Sequence, residues 1–278
     1  MKVVREGGVG PADEHRKNYE QLFGASGLHY RSVGLETENP REPTKRHIEL
    51  LQFISPQGQP FPEDFKQPDV GYSWVGIPIK DLDARYDSQP HWIYHRFCAP
   101  PMTLAGLPPT ARVSFVSEPD GNLVELTTND HLSFCVADAE KALTFYRDLL
   151  GLKVGTDGVT NLGSQRGKEY EAMFGLPRVA VRFVRLFAEG QVQWRNGGIE
   201  FGQWFSPSGK ARQERNLWDV GTKWPVLVIK DANVAYRELS AQGVRFISPP
   251  VQLRPPAPAR VCVCYDPEGN PLFLRQPE

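Results

Sequence analysis

The clearest pattern of polar and apolar positions in the chain lies within residues 129–152. Polar and apolar residues alternate over positions 131–136, which predicts a strand with two unlike faces. Asp138 is suited to cap a helix, and apolar side chains then recur at helical spacing over positions 142–150. Gly151 stands where a glycine commonly ends a helix, and another strand begins at Leu152. The stretch therefore predicts a β–α–β unit.

Several pairs of segments repeat along the chain, which predicts duplicated modules. ARVSFVSEPDGNLVELTT (111–128) matches ARVCVCYDPEGNPLFLRQ (259–276), HIELLQFISPQG (47–58) matches GIEFGQWFSPSG (198–209), and YEQLFG (19–24) parallels YRDLLG (146–151). We expect an α+β fold in which four βαβββ modules form two tandem domains. The domains span residues 1–128, with modules 1–70 and 71–128, and residues 129–278, with modules 129–210 and 211–278.

The composition is that of an ordinary folded protein, with 40% hydrophobic residues, 23% charged residues and a net charge of −1. No basic run or basic–aromatic stripe appears, so nucleic acid is not an expected partner. No apolar run approaches the roughly 20 residues that span a bilayer, so no membrane association is expected. The N-terminal sequence lacks the apolar core of a signal peptide. Four cysteines without a CxxC pair predict reduced thiols and a cytoplasmic location.

Three kinds of motif resemble the vicinal oxygen chelate superfamily, the group of the glyoxalases, bleomycin-resistance proteins and extradiol dioxygenases. They are the stretch at 131–152, the turns EPDGN (118–122) and DPEGN (266–270), and the two IE strands that end in SP-x-G. The resemblance implies glyoxalase-like domains in which paired modules cup their mixed sheets around a small molecule. It also implies, for many members, a divalent metal held by a first-strand histidine and a last-strand glutamate. Whether the protein forms a homodimer is left open by the sequence.

Carrying these positions over residue by residue leaves an incomplete ligand set. The first-strand and last-strand positions are, in module order, Val4 and Glu49, Trp74 and Glu125, His131 and Glu200, and Trp224 and Phe273. Pairing modules within each half separates Glu125 from His131 and Glu200, and two ligands hold a divalent ion weakly. Pairing the second module with the third gathers all three side chains, a set suited to Mn, Fe, Zn or Ni. We expect that a metal is absent rather than present.

These residues are compatible with two different functions. The first is an enzyme, a lyase or isomerase rather than a ring-cleaving dioxygenase, with His131, Glu200 and Glu49 as acid/base candidates. The second is a metal-free protein that binds or sequesters a small molecule. Trp74, Trp204, Trp224 and Phe273 are expected to line an aromatic or hydrophobic ligand in either case. The alternative for each buried carboxylate is an ion pair with an arginine, such as Arg182 or Arg46.

Overall fold

A computed structural model describes most of the chain: residues 2–37, 46–88, 95–96, 100–103, 112–117, 120–121, 123–127, 131–155, 163–189, 198–221, 223–253 and 258–278. The elements in chain order are β1 (Lys2–Val9), α1 (Arg16–Phe23), β2 (His29–Thr37), β3 (Arg46–Ser55), β4 (Gly71–Pro78), α2 (Leu82–Asp87), β5 (His95–Arg96), β6 (Ser114–Ser117), β7 (Leu123–Thr127), β8 (His131–Val136), α3 (Ala139–Leu143), β9 (Lys153–Val154), β10 (Gly163–Arg166), α4 (Lys168–Phe174), β11 (Ala180–Phe187), β12 (Ile199–Ser206), β13 (Val226–Val228), α5 (Ala232–Ala241), β14 (Val251–Leu253), β15 (Ala259–Tyr265) and β16 (Pro271–Pro277). The fold is mixed α+β, as the sequence predicted. No helix among these elements is long and apolar enough to cross a membrane.

The chain folds into two compact units that cross the sequence halves. Unit 1 combines Met1–Thr37, Arg46–Pro60 and Glu214–Glu278, and the described part of unit 2 lies within Phe61–Gln213. The first predicted module is thus grouped with the fourth, and the second with the third, whereas the sequence led us to divide the chain into 1–128 and 129–278. The reason is that β8 pairs directly with β4 of the preceding module. The expected boundary near Thr128 lies outside the described residues.

Unit 2 is built on one mixed sheet, in which the described strands follow the order β10-β11-β12-β8-β4-β7-β6-β5, with β9 added beside β11. Strand β8 runs parallel to β12, and β4 runs parallel to β7. These two parallel pairs are joined where β4 and β8 run antiparallel, with Gly76 opposite His131. The four strands at the middle of the sheet therefore come from two stretches of the chain that the sequence predicts to be different modules.

The two faces of this sheet bury different side chains, as the alternation over 131–136 predicted. On one face Phe134 packs against Phe201 and against Tyr146, at ring-centroid distances of 6.0 and 5.5 Å. Tyr146 belongs to a π-helical continuation of α3, Thr144–Leu149. Asp138 caps α3 by accepting hydrogen bonds from the backbone N–H groups of Glu140 and Lys141. The other face, called the inner face below, carries the odd-numbered residues of β8.

Unit 1 contains two sheets among its described residues, β1-β2-β3 and β13-β16-β15-β14. In the first, β1 runs antiparallel to β2 and α1 connects them, as α4 connects the antiparallel strands β10 and β11. YEQLFG (19–24) therefore corresponds to YEAMFG (170–175) and not to YRDLLG (146–151). Both helices end at a left-handed glycine, Gly24 and Gly175. The match of YEQLFG to YRDLLG is what placed Val4 at a first-strand position. That placement is wrong, because β1 lies beside β2 and before α1 as β10 lies beside β11 and before α4.

Candidate functional site

The inner face of unit 2 carries a cluster of charged side chains, here called the charge cluster: His131 on β8, Glu125 on β7, Glu200 on β12 and Arg185 on β11. Strand pairing brings them together. Gly76 of β4 lies opposite both Glu125 and His131, and Arg185 lies opposite Glu200. Residues opposite each other in neighbouring strands project from the same face. The cluster therefore depends on the β4–β8 contact between the second and third modules.

The imidazole of His131 lies close to both carboxylates. Its Nε2 is 3.2 Å from Oε2 of Glu125 and 3.7 Å from Oε1 of Glu200. The side chain of His131 is 1% exposed, against 11% for Glu125 and 10% for Glu200. The angles are not those of hydrogen bonds, and both imidazole nitrogens are buried without a hydrogen-bond partner among the described residues. The imidazole therefore lies close to two carboxylates in an environment that excludes most water.

Glu200 is held on both of its oxygens. Arg185 donates from Nε and Nη2 to Oε2 at 3.1 and 2.5 Å, and Ser133 donates from Oγ to Oε1 at 2.9 Å. Burial acts to raise the pKa of Glu200, but the charges of Arg185 and His131 and the hydrogen bonds to the carboxylate outweigh it and hold the pKa below its ordinary value. Glu200 is therefore an ionised group with a structural partner.

The partner of Glu200 differs from the arginine that the sequence suggested. Arg182 lies on the opposite face of β11 and pairs with Glu140 of α3 at 2.8 Å. Arg185 is three residues further along and therefore projects from the inner face. The signal that identifies it is the register of the β11–β12 hairpin, which sets Arg185 opposite Glu200.

Gly76 is a second residue that sequence reasoning missed. A Cβ atom at position 76 would come within 2.5 Å of both Cε1 and Nδ1 of His131. Contacts this short do not occur between real side chains, so the imidazole occupies the space that the glycine leaves. The signal in the sequence was the isolated glycine in the strand WVGIP (74–78), which indicates a close approach by another group.

The remaining predicted site residues lie elsewhere. Trp74 and Trp204 belong to the apolar part of the inner face, where Phe174 of α4 packs 6.0 and 4.8 Å from their rings. Trp224 and Phe273 are in unit 1 and stack with centroids 5.1 Å apart and ring planes 18° apart. Glu49 is also in unit 1, where its side chain is 42% exposed and pairs with Arg5 at 2.7 Å. The structure thus groups Glu125 with His131 and Glu200, while Glu49 belongs to the other unit.

The divalent metal that the superfamily resemblance implies fits this cluster poorly. No group of three or more His, Cys, Asp or Glu side chains in the described part of the chain has the geometry to hold a metal ion. The guanidinium of Arg185 neutralises Glu200 and repels a second cation beside it, because like charges in a buried site are costly. A metal role for His131, Glu200 and Glu125 stays a prediction.

Comparisons with known proteins agree with this architecture. A family model described as Glyoxalase/Bleomycin resistance protein/Dioxygenase superfamily matches residues 128–273, more than half of the 278 residues. The chain belongs to this superfamily. No curated protein matches the sequence significantly. The superfamily places the chain among enzymes and binding proteins of the vicinal oxygen chelate type.

Solved structures of glyoxalase proteins are similar to this chain. Glyoxalase I from Zea mays has a TM-score of 0.59 at 15% identity, and the match covers 98% of this chain and 93% of that chain. A glyoxalase family protein from Bacillus cereus has a TM-score of 0.45 at 17% identity, over 52% of this chain and 90% of that chain. At these identities the likeness to glyoxalase I shows a common fold across nearly the whole chain.

Proposed function

We propose that the chain is an enzyme of the vicinal oxygen chelate type that moves a proton on a carbon beside a carbonyl group, in an isomerase- or lyase-type reaction. The observation that supports this most directly is the 3.2 Å separation of His131 Nε2 and Glu125 Oε2 in a buried site. An imidazole and a carboxylate at this separation can exchange a proton once the ring turns to a hydrogen-bonding angle, and low exposure strengthens their mutual electrostatic effect.

The proposed roles of the three side chains follow from their exposure and from the ion pair between Arg185 and Glu200. Glu200 is held by Arg185 and Ser133, so it is a weak base, and it balances the positive charge that His131 gains when it accepts a proton. Glu125 has an unshared oxygen near the imidazole and is more exposed than His131. Glu125 is therefore the group that meets the substrate, and His131 lies behind it as the proton partner.

The proposed step balances without an external oxidant or reductant. Glu125 removes a proton from the carbon beside the carbonyl, and the electron pair of the C–H bond moves to form an enolate. In an isomerase that acts on an α-hydroxycarbonyl compound, the proton returns to the former carbonyl carbon. The proton of the neighbouring hydroxyl moves to the enolate oxygen, and the new carbonyl forms at the carbon that carried this hydroxyl. In a lyase the enolate expels a leaving group from the adjacent carbon, and the proton passes to that group. His131 accepts and returns the proton of Glu125 between these events.

Proton exchange tests the proposal without knowledge of the natural substrate. A panel of small aldehydes, ketones and hydroxyketones, including aromatic members, is incubated in D2O with the protein. Loss of the proton beside the carbonyl is followed by NMR. We expect faster exchange for some members than in buffer alone. Glu125→Gln and His131→Gln should each lower the exchange rate by about 10²–10⁴-fold, the range for loss of a general acid or base.

Asp83→Asn is the matched control, because Asp83 forms an exposed ion pair with Arg112. It should exchange like the wild type. Exchange no faster than buffer for every compound, or unchanged exchange in both charge-cluster variants, contradicts the proposed chemistry.

A second function, binding of an aromatic compound without chemistry, is supported by one feature of unit 1. The stacked rings of Trp224 and Phe273 offer a planar apolar surface, and Trp224 is partly exposed. Titration with planar aromatic compounds should then quench tryptophan fluorescence in a saturable way, and Trp224→Leu should remove the quenching. Binding that survives this change, or that is absent in the wild type, rules out this surface as the binding site.

A further inference from the structure

Three buried side chains of unit 2 carry N–H groups that lack an acceptor. They are the amide Nε2 of Gln67 and the indole Nε1 of Trp74 and of Trp204, which have no hydrogen-bond partner among the described residues. The three residues are 4%, 1% and 8% exposed. Buried donors are nearly always paired in folded proteins, and a donor left unpaired is costly. These three groups therefore need an explanation beyond packing.

The three donors lie beside the charge cluster. Trp204 is on the same strand and the same face as Glu200, four residues further along, which is roughly 13 Å at the rise of a strand. Trp74 is on β4, whose pairing with β8 forms the cluster. Gln67 is next to the inner face, because its backbone oxygen accepts from Sγ of Cys135 at 2.7 Å. The donors thus extend the inner face away from the cluster.

Helix α4 covers these donors. The ring of its Phe174 lies 6.0 Å from the ring of Trp74 and 4.8 Å from that of Trp204. Gly167 and Gly175 flank the helix and adopt positive φ angles of 134° and 62°. Glycine changes its backbone conformation without the steric cost of a Cβ atom, so the two residues allow the helix to move as a unit. A ligand reaches the donors when α4 moves in this way.

Trp204 has a counterpart in unit 1 that carries no N–H group on its side chain. The segments IEFGQWFSP (199–207) and IELLQFISP (48–56) align without a gap, and each contains a cis Ser–Pro peptide. Phe53 therefore stands at the position of Trp204. A phenyl ring fills in unit 1 the place that an indole fills in unit 2, so packing at this position does not require an indole.

Gln67 also has an apolar counterpart. Asp69 and Asp219 each accept a backbone hydrogen bond from the residue after an SP-x-G motif, so the loops that contain them match. Two residues before each aspartate stand Gln67 and Leu217, and both are 4% exposed. A leucine fills this place in unit 1, so the amide of Gln67 is not needed for packing. Its N–H group and that of Trp204 belong to the unit that contains the charge cluster.

The surroundings determine which acceptor suits these donors. Indole and amide N–H groups are uncharged. The charge cluster already contains two carboxyl groups, Glu125 and Glu200, against one guanidinium, so a further buried anion beside it would be repelled. The rings of Phe115 and Phe183 lie 5.3 and 6.3 Å from that of Trp74 and make the rest of the site apolar. An uncharged oxygen on an aromatic molecule satisfies both conditions.

We propose that Gln67, Trp74 and Trp204 form a donor subsite, which binds a carbonyl oxygen of an uncharged aromatic substrate beneath α4. The inference rests on the proposed function in that the same substrate reacts at Glu125. The bound oxygen belongs to the end of the substrate remote from the reacting carbon, because the donors extend away from the charge cluster. The donors therefore determine affinity and specificity, and the substrate class is that of uncharged aryl ketones with a second carbonyl group.

Indole N–H resonances report directly on the donor subsite. The full-length protein is labelled with nitrogen-15 at its tryptophan indoles and titrated separately with acetophenone, indanone and benzoate. The resonances of Trp74 and Trp204 are assigned from their loss in Trp74→Phe and Trp204→Phe. We expect both proton resonances to move downfield saturably with either ketone, as a hydrogen bond forms. Benzoate has the same ring and a charged oxygen group, and it should leave both resonances in place.

Variants that copy unit 1 test the donors. Trp204→Phe and Gln67→Leu introduce the residues that stand at the matching positions of unit 1, so the fold should persist, which circular dichroism checks. Each should raise the dissociation constant for acetophenone at least threefold, as expected for one hydrogen bond between uncharged groups. Trp218→Phe is the control, because it makes the same chemical change at a partly exposed residue of unit 1. It should bind acetophenone like the wild type.

The indole measurement requires no turnover, so it separates the donor subsite from the proposed chemistry. Ketone binding at both indoles that persists in Glu125→Gln supports the subsite, whether or not any compound exchanges its protons. Three results overturn the subsite even where proton exchange is observed. They are the absence of saturable indole shifts with both ketones, unchanged affinity in both Trp204→Phe and Gln67→Leu, and a response to benzoate as large as the response to acetophenone.

Discussion

Arg185 donates from two nitrogens to a single carboxylate oxygen, Oε2 of Glu200, inside unit 2. The other oxygen of Glu200 accepts from Ser133 and faces His131. The sequence favoured Glu200 as an acid/base group, yet this pairing holds it as an anion. Among the described residues no arginine pairs with Glu125, and Glu125 is also the carboxylate nearer to the imidazole. The proposed proton transfer therefore uses Glu125 and His131.

Removing the arginine should be far more costly than removing a comparable surface arginine. Arg185→Met leaves the buried carboxylate of Glu200 without its cation, and we expect a loss of about 3–5 kcal/mol in the free energy of unfolding. Arg182→Met is the control on the same strand, since it breaks a more exposed pair with Glu140 and should cost about 0–1 kcal/mol. Urea denaturation measures both.

The double variant Arg185→Met/Glu200→Gln separates charge from packing. Because it removes both charges, it should recover part of the stability that the single change loses. If Arg185→Met is no more destabilising than Arg182→Met, the buried ion pair has no special role in unit 2.

The lowered pKa of Glu200 predicts a pH dependence of stability. A carboxyl whose pKa is lower in the folded state binds fewer protons there than in the unfolded state, so it contributes stability above the ordinary pKa near 4.5. This contribution is lost as the pH falls below that value towards the folded pKa. We expect the stability difference between wild type and Glu200→Gln to be constant from pH 7 to 6 and to shrink between about pH 5 and 3. A difference independent of pH over this range contradicts the assignment.

Three members of the charge cluster could be predicted from the superfamily resemblance. It implies that His131 is at a first-strand position and that Glu200 and Glu125 are at last-strand positions. Whether these residues meet depends on which modules pair, which is a long-range contact between strands. Residue patterns within one strand carry no information about it. The sequence left both pairings open, and the β4–β8 contact selects the second with the third.

Two other features could not be predicted from the sequence patterns: the module position of the helix at YEQLFG, and the arginine that pairs with Glu200. The sequence YEQLFG (19–24) resembles both YRDLLG (146–151) and YEAMFG (170–175). The sequence favours the first match, whereas the structure supports the second. Strand direction, which distinguishes the two, is a property of the assembled sheet. Arg185 was missed for a related reason. Arg182 and Arg185 are both arginines in one apolar strand, and choosing between them requires the register against β12.

Phe174 should be a major contributor to the stability of unit 2. It lies on the inner face between Trp74, Phe115 and Trp204, with ring centroids 4.8–6.0 Å away. Phe174→Ala leaves a cavity that these rings cannot fill, and we expect a loss of about 3–5 kcal/mol. Phe205→Ala removes the same ring from an exposed position and should change stability by less than about 0.5 kcal/mol. Near-equal losses in thermal unfolding would refute the central role of Phe174.

The last prediction concerns the space that Gly76 leaves for His131. Gly76→Ala brings a methyl group to 2.5 Å from the imidazole, so the ring must shift or the strands must separate. We expect a loss of about 1–3 kcal/mol in the free energy of unfolding, typical of overpacking in a core. Gly10→Ala is the control, because a Cβ atom there meets nothing within 4 Å. The imidazole resonances of His131 should shift in Gly76→Ala and not in Gly10→Ala. Unchanged resonances and stability in Gly76→Ala would show that the imidazole does not depend on this glycine.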